Sequence, residues 1–599
     1  MSLSYEKLQT VEVRDPRTIL ENKRSYAALR AGSQTTWKAY TTTSVSTSSI
    51  QFSAPPPSSK VIIDRKLYMV LPVRLTFVGT STVGQTLINP NTDAPRAFPI
   101  ASSIDTLQAT INNQSASINI ADIVQALMHF GTDTQLSQTD YSLTPSALDQ
   151  SQAYSQLFGT VRNPLGSYGE STDQSIMGRG GFPFTIVSNP VFVSGTVTAV
   201  VDMVLCEPLF LSPMYFGKGN ASGFYNVNTF DLNITFLGNA GNRMWSHDAV
   251  SGPASNISSI SVAFTNFGSP AFSYPQTQPL LLFQYITPNE TQILPYNVPI
   301  TYPYFDVQRF PTDSQNAISA GVLTQLNSNN IQLNSIPRKM YIYVRERNQD
   351  LYNTSQNPDT YFSIENLSIQ FQNKNGLLAS ASKQQLYEMS IKNHCDLSWT
   401  QWSGGPIYPT GTFSSTMGTI GSLVAIEFAT DIGLDSIEAP GKLGQYMLQI
   451  NVSCTNISNR SITPTLYIVV VSEGTFTVEG LGKASTNIGV INSQDILSAH
   501  QSPFISYTDV EEVRGSGNFF SDIKHFGNKL SMGLQQAAPY IQKALPYISQ
   551  GVKFAKEISG MGCEECNGMG CQNCAMDMGS GVAVGGRRLK RSSLRDRMR

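Results

Sequence analysis

The residues best suited to chemistry lie near the end of this 599-residue chain. Cys563, Cys566, Cys571 and Cys574 form two CxxC pairs with a short spacer between them. Each pair of thiolates can hold Zn2+, and four together complete a tetrahedron. The spacer is short for a zinc ribbon, and Gly568 and Gly570 would let the loop fold tightly. Disulfides or a redox role are the alternatives. The expectation is that no cofactor is required, with a structural zinc in the tail as the one candidate.

Enzyme chemistry finds little support elsewhere. His129, His247, His394, His500 and His525 are scattered, and no HExxH, GxSxG or P-loop pattern is present. His394 stands beside Cys395, but adjacent residues on a strand would point to opposite faces. The chain reads as not an enzyme.

Three further segments surround the cysteines. From Asn518 to Ile558, apolar residues recur in steps of three and four: Phe519, Ile523, Phe526, Leu530, Leu534, Ile541, Leu545, Ile548 and Val552, with Phe520 beside the first. That is the helical period. Asn518 can cap the start, and Pro539 and Pro546 should kink or divide the helix. Lys524, Lys529, Lys543, Lys553 and Lys556 line the polar face. Such a stripe could lie in a membrane surface or pack against neighbouring subunits. The basic residues Arg587, Arg588, Lys590, Arg591, Arg595, Arg597 and Arg599 follow, which attract phosphate without reading sequence. A solubilising tail or a nuclear localisation signal is the plainer reading. Between them, Ile558 to Gly562 fits a maturation-protease pattern that would cut between Met561 and Gly562. Ile176 to Gly180 fits it too, so the pattern arises easily.

The elements that would carry these segments are strands. Only 14% of residues are charged and 10% are aromatic, a composition typical of all-β chains with long loops. The net charge of −2 hides a basic tail on an acidic body. The start has no apolar signal core and no run of 18 apolar residues occurs, so neither secretion nor a spanning helix is expected. Residues 1–55 read as an N-terminal arm, ended by Pro55, Pro56 and Pro57. Strands are dense in 56–255 and again in 256–500, though hard to find from 79 to 181 apart from a helical piece at 120–130. A linker at 501–517, the helical segment at 518–560 and the cysteine-rich basic segment at 561–599 complete the division. Two β-sandwiches of similar length match paired jelly rolls, although no letter-by-letter repeat exists.

One stretch is more specific. It contains Ile336 to Ile342, Pro358 to Tyr361, Gly376 to Ser380, Gln385 to Ser390, and Trp399 with Trp402. The order reads strand, polar connection, strand, an Asn375-Gly376 turn, then a short helix at 384–389. It resembles the second half of a double jelly-roll major capsid protein of eukaryotic DNA viruses. The chain is similar to those of Polinton-like viruses, virophages and adintoviruses. The resemblance implies a homotrimer whose six jelly rolls form a pseudo-hexagonal capsomer in an icosahedral shell. It also implies minor capsid or penton proteins as partners. The tail would meet the viral genome and the helix a host membrane during entry. The helix and tail depart from the family pattern, being features expected on separate minor capsid proteins. A single jelly roll with a protruding second β domain is the runner-up, supported if a hinge lay near residue 255. A carbohydrate-binding β-sandwich is a distant third.

Overall fold

The structure is a computed structural model that describes residues 33–496 apart from internal stretches, the longest being 130–183. In the first half the strands are β1 (Gln34–Val45), β2 (Ser49–Ser53), β3 (Ile62–Ile63), β4 (Tyr68–Thr80) and β5 (Ala94–Pro95). Then come β6 (Ile104–Ile111), β7 (Gln114–Ile118), β8 (Phe184–Ser188), β9 (Val197–Pro208) and β10 (Phe230–Phe236). The series continues with β11 (Trp245–Ser246), β12 (Asn256–Ala263) and β13 (Leu280–Thr287). Helices α1 (Pro99–Ser103), α2 (Ile120–His129) and α3 (Ala240–Met244) lie among them.

The second half begins with β14 (Ile300–Asp313), β15 (Leu323–Asn327), β16 (Ile331–Ser335), β17 (Lys339–Glu346), β18 (Ser363–Phe371) and β19 (Lys374–Leu377). Helices α4 (Lys383–Lys392) and α5 (Trp399–Ser403) follow. The chain then forms β20 (Tyr408–Thr410), β21 (Phe413–Ser415), β22 (Leu423–Glu427), β23 (Leu443–Thr455), β24 (Pro464–Glu479) and β25 (Lys483–Ile488).

Both halves share one strand order. In the first, the eight main strands are β1, β2, β4, β6, β7, β9, β10 and β13, and they lie as β1-β13-β4-β9 and β2-β10-β6-β7. Counted along the chain, that is 1-8-3-6 against 2-7-4-5. In the second half, β14-β24-β17-β22 and β15-β23-β18-β19 repeat both orders, with β16 pairing beside β15. This is the jelly-roll order of two interlocked Greek keys. The duplication that residue-by-residue comparison misses is therefore visible in the pairing.

Burial explains why these segments are strands. β10, Phe230–Phe236, alternates buried and exposed residues without a break, as a strand with one wet face must. β17 is buried along its whole length, and β24 over its first eight residues, so both faces of those strands are covered. β1 serves two sheets. Its first part pairs with β13 and its last part with β2, and a register shift between Thr42 and Ser44 makes the bend. In β4 and β9, Arg74 and Asp202 are direct cross-strand partners joined by two bonds of 2.6 and 2.7 Å. Arg74 also donates to the carbonyls of Phe267 and Pro270, pinning the following loop over the sheet.

Several boundaries differ from the sequence expectation. Residues 34–53, assigned to the arm, form β1 and β2 inside the first sandwich. β12 pairs with β4, and β13 pairs with β1 and β4, so both belong to the first jelly roll although they follow residue 255. The break between sheets falls between Thr287 and Ile300. β6 and β7 lie in the 79–181 stretch that showed no strand pattern; their Thr, Ser and Gln residues face solvent and blur the alternation. The turn after β18 is at Gln372 and Asn373, since Phe371 pairs with Lys374. Asn375 and Gly376 lie in β19 beyond it.

Candidate functional site at the junction of the two jelly rolls

The site residues read from the sequence lie outside the described residues: the four cysteines, the apolar stripe from Phe519 to Val552, the Met561-Gly562 step and the basic residues from Arg587 to Arg599. Within the described residues, no group of three or more His, Cys, Asp or Glu could hold a metal. No helix there is long and apolar enough to cross a membrane. Cys206, Cys395 and Cys454 are buried and form no disulfide. His394 and Cys395 do not lie on a strand. They follow α4, His394 in a left-handed conformation (φ 75°) and exposed, Cys395 buried.

What the fold does assemble is a junction between the sandwiches. Asp122 sits in the first turn of α2 and is 2% exposed. A carboxylate there also faces the positive end of the helix. Arg309 of β14 reaches it at 2.5 Å and Arg345 of β17 at 3.0 Å. Arg309 also approaches Asp105 of β6 at 3.6 Å. The Tyr343 hydroxyl donates to the Asp122 backbone carbonyl. Burial pushes that hydroxyl well above its ordinary pKa, so it stays a donor. Arg345 lies over the Tyr467 ring at 5.0 Å, and Tyr467 stacks on Tyr343 with centroids 5.2 Å apart. Charges this deep hold only when paired and hydrogen-bonded, and here each half of the chain supplies what the other lacks.

A second contact lies beyond it. Tyr302 of β14 donates to the Gly223 carbonyl at 2.7 Å and accepts from the Tyr225 N–H at 3.1 Å. Arg65 lies over its ring at 5.1 Å, and Phe224 meets it edge-on. The Phe305 N–H donates to Ser212 Oγ at 2.9 Å. Polar anchors at both ends with aromatics between them make a junction fixed in angle.

Nothing in the sequence reading singled out Asp122, Arg309 or Arg345. The available signal was a lone carboxylate in the apolar helix IADIVQALMH and an arginine closing the apolar run KMYIYVRE. Charges in such runs are buried and need partners.

On the far side of the second sandwich, α4 opens with a reciprocal cap between Ser382 and Gln385. Trp402 of α5 is fully buried and donates its Nε1–H to the Leu423 carbonyl at 2.7 Å. Its place in the core and that of Trp245 leave no cluster of exposed tryptophans for a sugar to stack on among the described residues.

Comparison with known proteins gives this architecture a family. Residues 6–286 match the model of the Sputnik virophage major capsid protein first domain, and residues 307–474 match the major capsid protein V20 C-terminal domain. The putative capsid protein V20 of Sputnik virophage is 30% identical, and the alignment covers 100% of both chains. The chain belongs to the virophage major capsid protein family. The Sputnik virophage structure solved by cryo-EM superposes with a TM-score of 0.72 at 30% identity, over 85% of this chain and 99% of that one. The mavirus major capsid protein shares the fold at 16% identity, with a TM-score of 0.67 over 84% of this chain and 100% of that one. The chain is thus a structural protein of the virion capsid, not an enzyme, and it assembles with its own copies into the shell. The first family model ends at residue 286, inside β13, as the sheet pairing does. The alignment with the V20 relative extends over the C-terminal segment as well.

Proposed function

We propose that three copies of the chain associate into a pseudo-hexagonal capsomer, and that these capsomers tile an icosahedral shell with minor capsid or penton proteins. The observation that carries this reading is the repeated strand order: two jelly rolls of one topology, held at a fixed junction, supply two of six near-equivalent corners. Three-fold closure of such a pair gives the pseudo-hexagon. The body is divided at the sheet break between Thr287 and Ile300, one jelly roll on each side. Light scattering tests the assembly. The expected mass is about 196 kDa, three times the 65.4 kDa chain. A monomer, dimer or pentamer at every salt concentration contradicts it.

The C-terminal segment takes the roles its residues fit. The stripe from Phe519 to Val552 acts at a host membrane during entry. The cluster from Arg587 to Arg599 contacts the viral genome inside the shell, as a salt-dependent and sequence-independent attraction. Cys563, Cys566, Cys571 and Cys574 bind one structural zinc, and a cut between Met561 and Gly562 would release them with the basic tail. Zinc content near one per chain, lost when Cys563 and Cys566 become Ser, supports the metal reading. Zinc-free chains purified with metal present refute it.

A further inference from the structure

β25 delivers the chain to one end of the second jelly roll. It pairs antiparallel with β24 up to Ile488, and Gly489 follows with φ at 63°. Gly489 is held so closely that a Cβ there would lie 2.8 Å from both the Gly441 carbonyl oxygen and the Ser335 Cβ. The exit of the chain is therefore fixed against the loop 428–442, which joins β22 to β23.

Exposed aliphatic residues surround this exit. Ile437, 46% exposed, stands in the loop itself. Leu443, 56% exposed, opens β23 and pairs with the same Ser335 that Gly489 touches. Ile391, 40% exposed, lies in the last turn of α4. That turn is tied to the loop by Asn393, whose Nδ2 donates to Asp431 Oδ2 at 2.8 Å. A lone exposed aliphatic residue needs no explanation, but a group at one place marks a contact.

The chain beyond the exit carries what such a group lacks. The apolar stripe from Phe519 to Val552 starts about 30 residues after Gly489. A flexible chain of that length spans about 30 Å. Tethering of this kind gives a local concentration on the order of mM, so even a weak contact within one chain is well occupied. The charges also agree. Residues 428–442 carry Asp431, Asp435 and Glu438 against Lys442, a net charge of −2. Lys374 reaches over from β19 and matches Asp435 at 2.9 Å. The segment from Asn518 to Ile558 carries five lysines against Asp522 and Glu557, a net charge of +3.

We propose that the stripe from Phe519 to Val552 docks on the loop 428–442 and the end of α4 of its own chain, over Ile437, Leu443 and Ile391. The docking rests on the membrane reading above and extends it. The same apolar residues serve two surfaces in turn, and a bilayer draws the stripe away by competing for them.

Hydrogen exchange on the full chain tests this. Leu534→Asp with Leu545→Asp lies outside the two sandwiches and leaves their cores untouched. Amides of residues 433–438 should exchange at least about 10-fold faster in this variant than in the unsubstituted chain. The converse variant, Ile437→Asp with Leu443→Asp, should free the stripe. Trypsin should then cut at Lys529 and Lys543 about 10-fold faster, and dye release from anionic vesicles should rise. Equal exchange in the first variant overturns the proposal, and so does equal cleavage in a folded second variant. Should the second fail to fold, the first decides alone. Protection that disappears on dilution also overturns it, because the stripe would then dock on a second copy. A chain whose loop is protected but which never releases dye defeats the membrane reading and leaves the docking standing.

Discussion

At the scale of single residues, the body pairs buried charges such as Arg74 with Asp202 and Arg345 with Asp122, and keeps its thiols out of reach. Asp122 answers two arginines from the other half of the chain. Removing it takes the carboxylate away from the fully buried Arg345, a loss of about 3–5 kcal/mol. Asp122→Ala should therefore lower the denaturation midpoint strongly, measured by urea titration of fluorescence, and a change no larger than a surface substitution would count against the junction. Cys206 and Cys454 are pushed up from 9.0 to about 12, chiefly by burial. Below pH 9 both folded and unfolded thiols keep their protons, so stability there does not depend on them. Between about 9 and 12 the unfolded thiols lose protons that the folded ones retain, so stability falls as pH rises. Buried Tyr68 and Tyr341, also raised by burial, act in the same direction above their ordinary 10.0. Denaturation midpoints should decline through this window, with Cys206 and Cys454 unreactive to a disulfide reagent until unfolding. A flat or rising midpoint would contradict the burial described.

At the scale of elements, legibility follows how much of a strand is buried. β9 and β17 were plain in the sequence because long apolar runs mark strands covered on both faces. β10 was plain because its alternation is unbroken. β1, β7 and β15 were not, since Thr, Ser, Gln and Asn fill their open faces and imitate loops. β13 was recognised as a strand but placed in the wrong sandwich. Its partners β1 and β4 are more than 200 residues away, and nothing local reports pairing over that distance. α2 and α4 were both readable within two or three residues of their ends. The amphipathic segment from Phe519 to Val552 carries its own prediction. The full chain should release dye from anionic vesicles, and Leu534→Asp with Leu545→Asp should abolish release while leaving the capsomer mass unchanged. Equal leakage by that variant would assign the stripe to packing against protein.

At the scale of the whole molecule, one fold is used twice and the copies are locked together. The strand order 1-8-3-6 over 2-7-4-5 appears in both halves, which removes the reading of a single jelly roll with a protruding domain. The junction at Asp122 and Tyr302 fixes the angle between the two jelly rolls, as the proposed six-cornered ring would require. The composition foretold the β class, and the stretch from Ile336 to Trp402 foretold the family. The junction was hidden, because it joins residues from distant parts of the chain and no local pattern marks them. The most direct test of the central claim is electron microscopy of the purified chain in negative stain, with class averages taken down the particle axis. The two-jelly-roll account predicts hexagonal outlines with six lobes and three-fold symmetry. Round or two-fold particles, or pentagonal rings with knobs, would contradict it.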